Sequence, residues 1–272
     1  MTRFERSSST GFPRPAQRLR TIDLVEEVRA SQPPSLVHPG WSDAYPWLVQ
    51  GTTTRGDGPE PFDLGLFGAG SPTRHVEERW ETLRVATGSD EVVHARQLHG
   101  REVRIHEGGG DGLVIVDDAD AHVTNRPGVL LAVTAADCVP VSVVDPERRA
   151  VAMVHAGWRG VAAGVLSASV STLAEAFGSE PADLVVHLGP AICGRCYRVG
   201  PEVFGALGLT APVDAMPIDL RAVLKGRAVG LGIPASQVTI SAHCTLCTGS
   251  ALFSHRGGDL FRHVGFIGIR SS

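Results

Sequence analysis

The sequence predicts an α+β fold organised around a mixed β-sheet, and three observations carry that expectation. Between residues 91 and 155 the chain breaks into six short runs rich in Val, Leu, Ile and Ala, joined directly by turn signals. Helical periodicity enters irregularly before and after this block, without the strict strand–helix alternation of a doubly wound sheet. No repeat of about 20 to 50 residues and no long linker interrupts the 272 residues, so one domain is expected.

In chain order, residues 1–45 are rich in Ser, Pro and Arg (Arg3, Arg6, Arg14, Arg18, Arg20) and read as a partly flexible arm with a short helix around 22–30. Residues 46–272 form the expected domain. A helix over 73–87 follows from Val76, Trp80 and Leu83 at spacings of four and three, with Ser71-Pro72 as its start signal. Strands are expected at 92–98, 102–106, 113–116, 129–134, 139–144 and 150–154. Gly108-Gly109-Gly110, Asn125-Arg126-Pro127-Gly128 and Asp145-Pro146 mark turns between them. Leu166, Val170, Leu173 and Phe177 make the apolar stripe of a helix over 161–177. A strand at 184–188, helices at 201–207 and 220–231, and strands at 238–242, 252–255 and 264–269 complete the reading.

Composition narrows the function. Hydrophobic residues at 43% and charged residues at 20% exclude disordered, collagen-like and disulfide-scaffold classes. A net charge of −4 supplies no field for a phosphate backbone, and no basic patch lies beyond the first twenty residues, so no nucleic-acid partner is expected. Lys225 is the only lysine among 25 basic residues, a compositional habit rather than a chemical signal. Five cysteines, an odd number, do not make a secreted disulfide framework. With no apolar run of about 18 residues and no apolar leader, a cytoplasmic protein without membrane contact is expected, by default a monomer.

Three islands put metal-ligating side chains at the ends of expected strands: Gln97-Leu98-His99-Gly100, Ala136-Asp137-Cys138-Val139-Pro140 and Val154-His155-Ala156-Gly157-Trp158-Arg159-Gly160. Two histidines and one cysteine are zinc or copper ligands, and three protein ligands leave a position open for water or substrate. The same residues also suit a nucleophilic Cys138 with a histidine base, or plain core filling. Gly100, Gly157 and Gly160 permit close backbone approach, and Trp158-Arg159 sets a π-face beside a bidentate cation, which favours a site. Separately, Cys193-Gly194-Arg195-Cys196 and Cys244-Thr245-Leu246-Cys247 form two Cys-x-x-Cys pairs: a structural zinc site, a redox pair, or buried thiols near the site.

These islands, with Gly189-Pro190-Ala191-Ile192, Cys196-Tyr197, Cys244-Thr245 and Phe253-Ser254-His255-Arg256, resemble the laccase-domain family from about Leu48 onward. That family is also called polyphenol oxidase, YfiH-type or peptidoglycan editing factor. The resemblance implies two packed mixed sheets with outer helices, and a zinc-binding, catalytic trio of His99, Cys138 and His155, copper being the other metal in view. It further implies phosphorolysis of adenosine, inosine and methylthioadenosine, with adenosine deamination beside it. Purine nucleoside and phosphate are thus the expected partners. Phosphate would need arginine, and Arg55, Arg159 and Arg256 are the candidates. Asp137 is the candidate partner of a ligand histidine or proton shuttle, or else an aspartate that caps a loop at a strand end. The chain departs from the family pattern at Asp63, Glu78, Arg198 and Gly257, and the trio is untouched. The competing readings are a cysteine amidase acting on peptidoglycan precursors, a copper-dependent phenol oxidase and a metal-retaining binding protein.

Overall fold

Strands with apolar side chains at consecutive positions must be covered on both faces. The computed structural model, which describes residues 24–67, 74–247 and 251–271, meets that need with two stacked sheets between outer helices. The first half of the chain holds β1 (Leu24–Val25), β2 (Val28–Ser31), β3 (Pro34–Val37), α1 (Pro39–Ala44), β4 (Leu48–Thr53), α2 (Arg74–Thr87), β5 (Glu91–Ala95), β6 (Val103–Ile105), β7 (Gly112–Val116) and β8 (Ala121–Thr124). Then come β9 (Val129–Ala135), β10 (Val139–Asp145), β11 (Ala150–Ala156), α3 (Trp158–Ala163), α4 (Val165–Phe177) and β12 (Val185–Leu188). The chain closes with β13 (Arg198–Val199), α5 (Pro201–Ala206), β14 (Met216–Pro217), α6 (Leu220–Gly230), β15 (Val238–Ser241) and β16 (His263–Ile269).

The first sheet runs β1-β15-β12-β10-β11-β8-β6 and the second β2-β3-β4-β16-β9-β5-β7. Both are mixed: β12 lies parallel to β15 and antiparallel to β10, and β9 parallel to β5 and antiparallel to β16. Period-two alternation sorts the side chains into layers. On β9, Leu131 and Val133 face β11 residues Val151 and Met153 between the sheets, whereas Leu130 and Ala132 pack outward with Trp80 and Leu83 of α2. On β11, Ala152 and Val154 turn to the other outer layer, with Leu166, Val170 and Leu173 of α4 and Leu224 of α6. Each of the buried Val, Leu and Met side chains contributes about 1.5–3 kcal/mol. The expected class, mixed sheets with outer helices, is what the chain builds.

Four differences from the expected elements have physical causes. Residues 24–31 are strands, not a helix: Val28, Arg29 and Ser31 are exposed, so no helical apolar face exists, and Glu27 is buried against His187 and Ser241. The arm expected to end near residue 45 therefore joins both sheets from residue 24 on, and its first 23 residues lie outside the described residues. The helix over 161–177 is two helices, α3 and α4, divided at Gly164, whose φ of +87° ends one and starts the next. Residues 252–255 are irregular rather than a strand, because side chains take their amides: Phe253 N–H donates to His263 Nδ1 and Ser254 N–H to Asp259. The expected Ser71-Pro72 start of α2 lies outside the described residues. Strands β4 and β8 carry no alternation and were not expected.

Candidate metal centre

Three consecutive features of the topology bring the ligands together. Cys138 immediately precedes β10, and His155 sits near the end of β11, opposite Pro140 in the antiparallel register. Both belong to the first sheet, while His99 lies on the crossing from β5 of the second sheet to β6 of the first. The site thus straddles the mouth between the sheets. Ligand atoms of His99, Cys138 and His155 all lie within 4.8 Å of one another, with Cys138 Sγ 3.8 Å from His99 Nε2. A tetrahedral ion with bonds of about 2.3 Å to sulfur and 2.0–2.1 Å to nitrogen spans S···N edges of about 3.6 Å, so the donors fit a metal. His155 is buried, Cys138 half-buried and His99 exposed, which leaves one side of the trio open.

Two of the residues around this mouth hold left-handed backbone without being glycine: His99 at φ +58° and Asp137 at φ +86°. Such conformations persist only where the surroundings hold them. For His99 the holder is Asp120, 1% exposed, whose carboxylate accepts the N–H groups of Leu98, His99 and Gly100 at 3.2, 2.9 and 2.7 Å. The same carboxylate meets His155 Nδ1 at 2.8 Å, which turns Nε2 of that ring toward the open side. Gly157 closes the floor: a Cβ there would stand 2.6 Å from His99 Cδ2 and 3.0 Å from Cys138 Sγ.

Electrostatics in the metal-free chain favour a thiolate–imidazolium pair. Burial pushes the Cys138 thiol up, but the charge of His155 and hydrogen bonds from both histidines outweigh it and bring it down to about 6. Burial lowers His155, and the Cys138 charge with the Asp120 carboxylate reverse that and raise it to about 9.

The sequence-predicted contacts fall in three groups. Asp137 does not touch a ligand histidine. Its carboxylate accepts the Thr245 hydroxyl at 2.5 Å, the Ser254 hydroxyl at 2.7 Å and the Arg256 amide at 2.6 Å, so it ties Thr245, Ser254 and Arg256 to the start of β10. Arg256 lies over the Tyr197 ring at 5.3 Å, and Arg159 over Trp158 at 4.3 Å. Tyr197 is raised to about 12 by burial first and then by the charges of Cys138 and Asp137, with Arg256 and Arg159 opposing. Arg55 is committed elsewhere: it donates to Asp259 at 2.9 Å and to the Leu252 carbonyl at 3.1 Å, over Phe253. Sequence reasoning missed Asp120 as a positioning residue, since one aspartate among 29 acidic residues carries no spacing signal. The expectation that placed Tyr197 beside Cys196 in a family element gave it no role.

Comparison with known proteins gives concordant matches. The family described as multi-copper polyphenol oxidoreductase laccase matches residues 50–270. Purine nucleoside phosphorylase YlmD of Geobacillus stearothermophilus is 32% identical over 260 residues, covering 85% of this chain and 95% of that one. Adenosine deaminase RL5, from an unknown prokaryotic organism, is 32% identical over 204 residues, covering 69% and 78%. Among solved structures, the Bacillus licheniformis hypothetical protein YfiH superposes with a TM-score of 0.79 at 29% identity, covering 87% of this chain and 96% of that one.

Proposed function

The chain belongs to the laccase-like, YfiH-type family, and on that premise we propose that it is a zinc-dependent purine nucleoside phosphorylase with adenosine deaminase activity. Its relatives' names support nucleoside processing. The observation that carries the reading is the trio of His99, Cys138 and His155 at the mouth between the sheets, with Asp120 fixing two of the three.

Zinc held by these three side chains would supply a Lewis acid with an open position. The chain's own residues do the rest. In phosphorolysis a phosphate oxygen bonds to the anomeric carbon as the N-glycosidic bond breaks, and its electron pair leaves on the purine, which must take up a proton. Arg159 and Arg256 are the phosphate holders in this reading: Arg159 stands two residues after Gly157 on the floor of the site, and Arg256 lies over Tyr197 with its amide on Asp137, the neighbour of Cys138. Arg55, expected from sequence to share that work, instead braces the 251–259 segment through Asp259. In deamination water replaces the amino group of adenosine, releasing ammonia and inosine. Asp120 positions His155 for either reaction by accepting a hydrogen bond from its Nδ1–H. The cytoplasmic, monomeric setting belongs to the same proposal; no helix among the described residues is long and apolar enough to cross a membrane.

A second reading has an observation of its own. Cys138, brought down to about 6, His155 and Asp120 have the order of a nucleophile, base and orienting carboxylate, which suits a cysteine amidase acting on peptidoglycan precursors. A multicopper phenol oxidase has less: among the described residues, the groups of three or more side chains able to hold a metal are this trio and one set of four cysteines. The test is adenosine incubated with and without phosphate, with adenine and inosine resolved by chromatography. Phosphate-dependent adenine supports the phosphorylase; adenosine untouched in both buffers with a peptidoglycan precursor hydrolysed supports the amidase.

A further inference from the structure

The two Cys-x-x-Cys pairs lie 48 positions apart at the nearest, yet the fold stacks them. Each follows the carboxyl end of a strand, β12 for Cys193 and Cys196 and β15 for Cys244 and Cys247, and those strands are parallel neighbours. A backbone bridge between Ala191 and Cys244 locks the two turns side by side. All four sulfurs lie within 4.8 Å of one another, and Cys193 Sγ is 3.7 Å from Cys247 Sγ. A tetrahedron with metal–sulfur bonds of about 2.3 Å has edges of about 3.8 Å, whereas a disulfide would bring two sulfurs to about 2.05 Å. The spacing therefore matches four thiolates around one ion.

The surroundings fit that charge. Cys244 Sγ accepts the N–H groups of Cys193 at 3.3 Å and of Leu246 and Cys247 at 3.4 Å. Arg195, within the first turn, lies against Cys193 and Cys247 and offsets part of the net negative charge of a tetrathiolate ion. The set contains no carboxylate or imidazole, which selects a soft, tetrahedral ion over a hard one.

We propose that Cys193, Cys196, Cys244 and Cys247 form a structural tetrathiolate zinc site that clamps the 189–197 and 244–247 segments together beside the catalytic mouth. Four protein ligands leave no open position, so the ion takes no substrate. Its contribution is to place two neighbours of the reaction. Tyr197 follows Cys196 directly, and Thr245, between the second pair, donates to Asp137 beside Cys138. The Thr245 amide also donates to the Ala191 carbonyl and the Ile192 amide to Asp137, so one clamp secures the start of β10 from both segments.

The test is metal content by native mass spectrometry and elemental analysis on the full chain, followed by cobalt substitution. Wild type should carry two zinc ions per chain, and the His99→Ala/His155→Ala variant one. Cobalt in that variant should give the intense visible band and sulfur-to-metal charge transfer of four thiolates. Cys196→Ser/Cys247→Ser in the same background should lose the ion. Should the serine variant fail to fold, Cys247→His, which keeps four ligands, should fold, retain one ion and shift the cobalt band. A His99→Ala/His155→Ala chain that folds with no metal and with all four thiols open to alkylation, with a disulfide in either pair, or with iron in place of zinc, would overturn the proposal.

Discussion

The carboxylate of Asp120 lies 2.8 Å from Nδ1 of His155, and its remaining acceptor capacity goes to the three consecutive amides that hold His99 in left-handed backbone. One buried side chain therefore fixes a ligand from the first sheet and a ligand on the crossing from the second. Asp120→Asn should weaken zinc binding at the trio by about 10- to 100-fold, the usual effect of losing such a partner. Asp120→Ala should also lower the melting temperature, since it removes the acceptor of three amides and of His155 Nδ1 at once. Competition with a chelator and thermal unfolding check both; unchanged zinc affinity in the asparagine variant would remove Asp120 from the account.

Gly157 is open to a sharper test. The Cβ of Gly157→Ala would stand 2.6 Å from the His99 ring and 3.0 Å from the Cys138 sulfur, so one or both ligands must move. A displacement of about 1 Å can cost about 100-fold in rate, and adenine release should fall by about that much while the fold persists. Steady-state kinetics beside circular dichroism read the two effects separately, and wild-type turnover would show that the ligands need no such packing.

The arginines should separate by phenotype. Arg159→Ala and Arg256→Ala should raise the KM for phosphate by about 10-fold or more, the loss of a charge-assisted contact. Arg55→Ala should act mainly on stability, because its partner is Asp259 at 2.9 Å rather than the mouth. Phosphate titrations at saturating nucleoside check this, and a phosphate defect confined to Arg55→Ala would reverse the assignment.

Acid should destabilise the protein well above the carboxylate range. Burial holds His38, His94 and His106 down at about 4, His263 at about 3, and His122 well below its ordinary value. Unfolded, these rings bind protons near 6.5, so between about 4 and 6.5 the unfolded chain carries more protons and stability falls with falling pH. Glu27, lowered on balance because His187 and Ser241 outweigh its burial, adds a loss at lower pH still. His155 has the opposite sign: raised to about 9, its contribution in the zinc-stripped chain is complete below 6.5 and lost as pH rises through 9. Melting temperature should rise with pH from about 4 to 6.5 as the neutral histidine core forms, and a flat profile down to pH 4.5 would contradict that core.

Much of the site was legible from local sequence. His99, Cys138 and His155 sit in glycine-flanked islands at strand ends, and a strand end fixes a side chain without long-range knowledge. Asp120 was not legible, because its partners are 20 to 35 positions away and only the crossing between the sheets brings them together. Asp137 was read as a histidine partner, a proton shuttle or a loop cap from adjacency to Cys138; its left-handed backbone in the turn before β10 directs the carboxylate to Thr245 and Ser254, as a loop cap would. The cysteine pairs showed their internal spacing but not their stacking, which depends on β12 and β15 being parallel neighbours. In the fold, continuous apolar runs such as β10 and β11 were clear, whereas β4, with Gln50 and Gly51 at its centre, is held by its neighbours rather than by its own pattern.

The central claim is that the His99/Cys138/His155 centre carries nucleoside chemistry through its metal. The most direct measurement is phosphate-dependent adenine release from adenosine after chelation and again after zinc is restored. The account predicts loss of release in the stripped protein, recovery as one zinc refills the trio, and no recovery in Cys138→Ala. Full adenine release by the stripped chain, or by a folded Cys138→Ala variant, would contradict it.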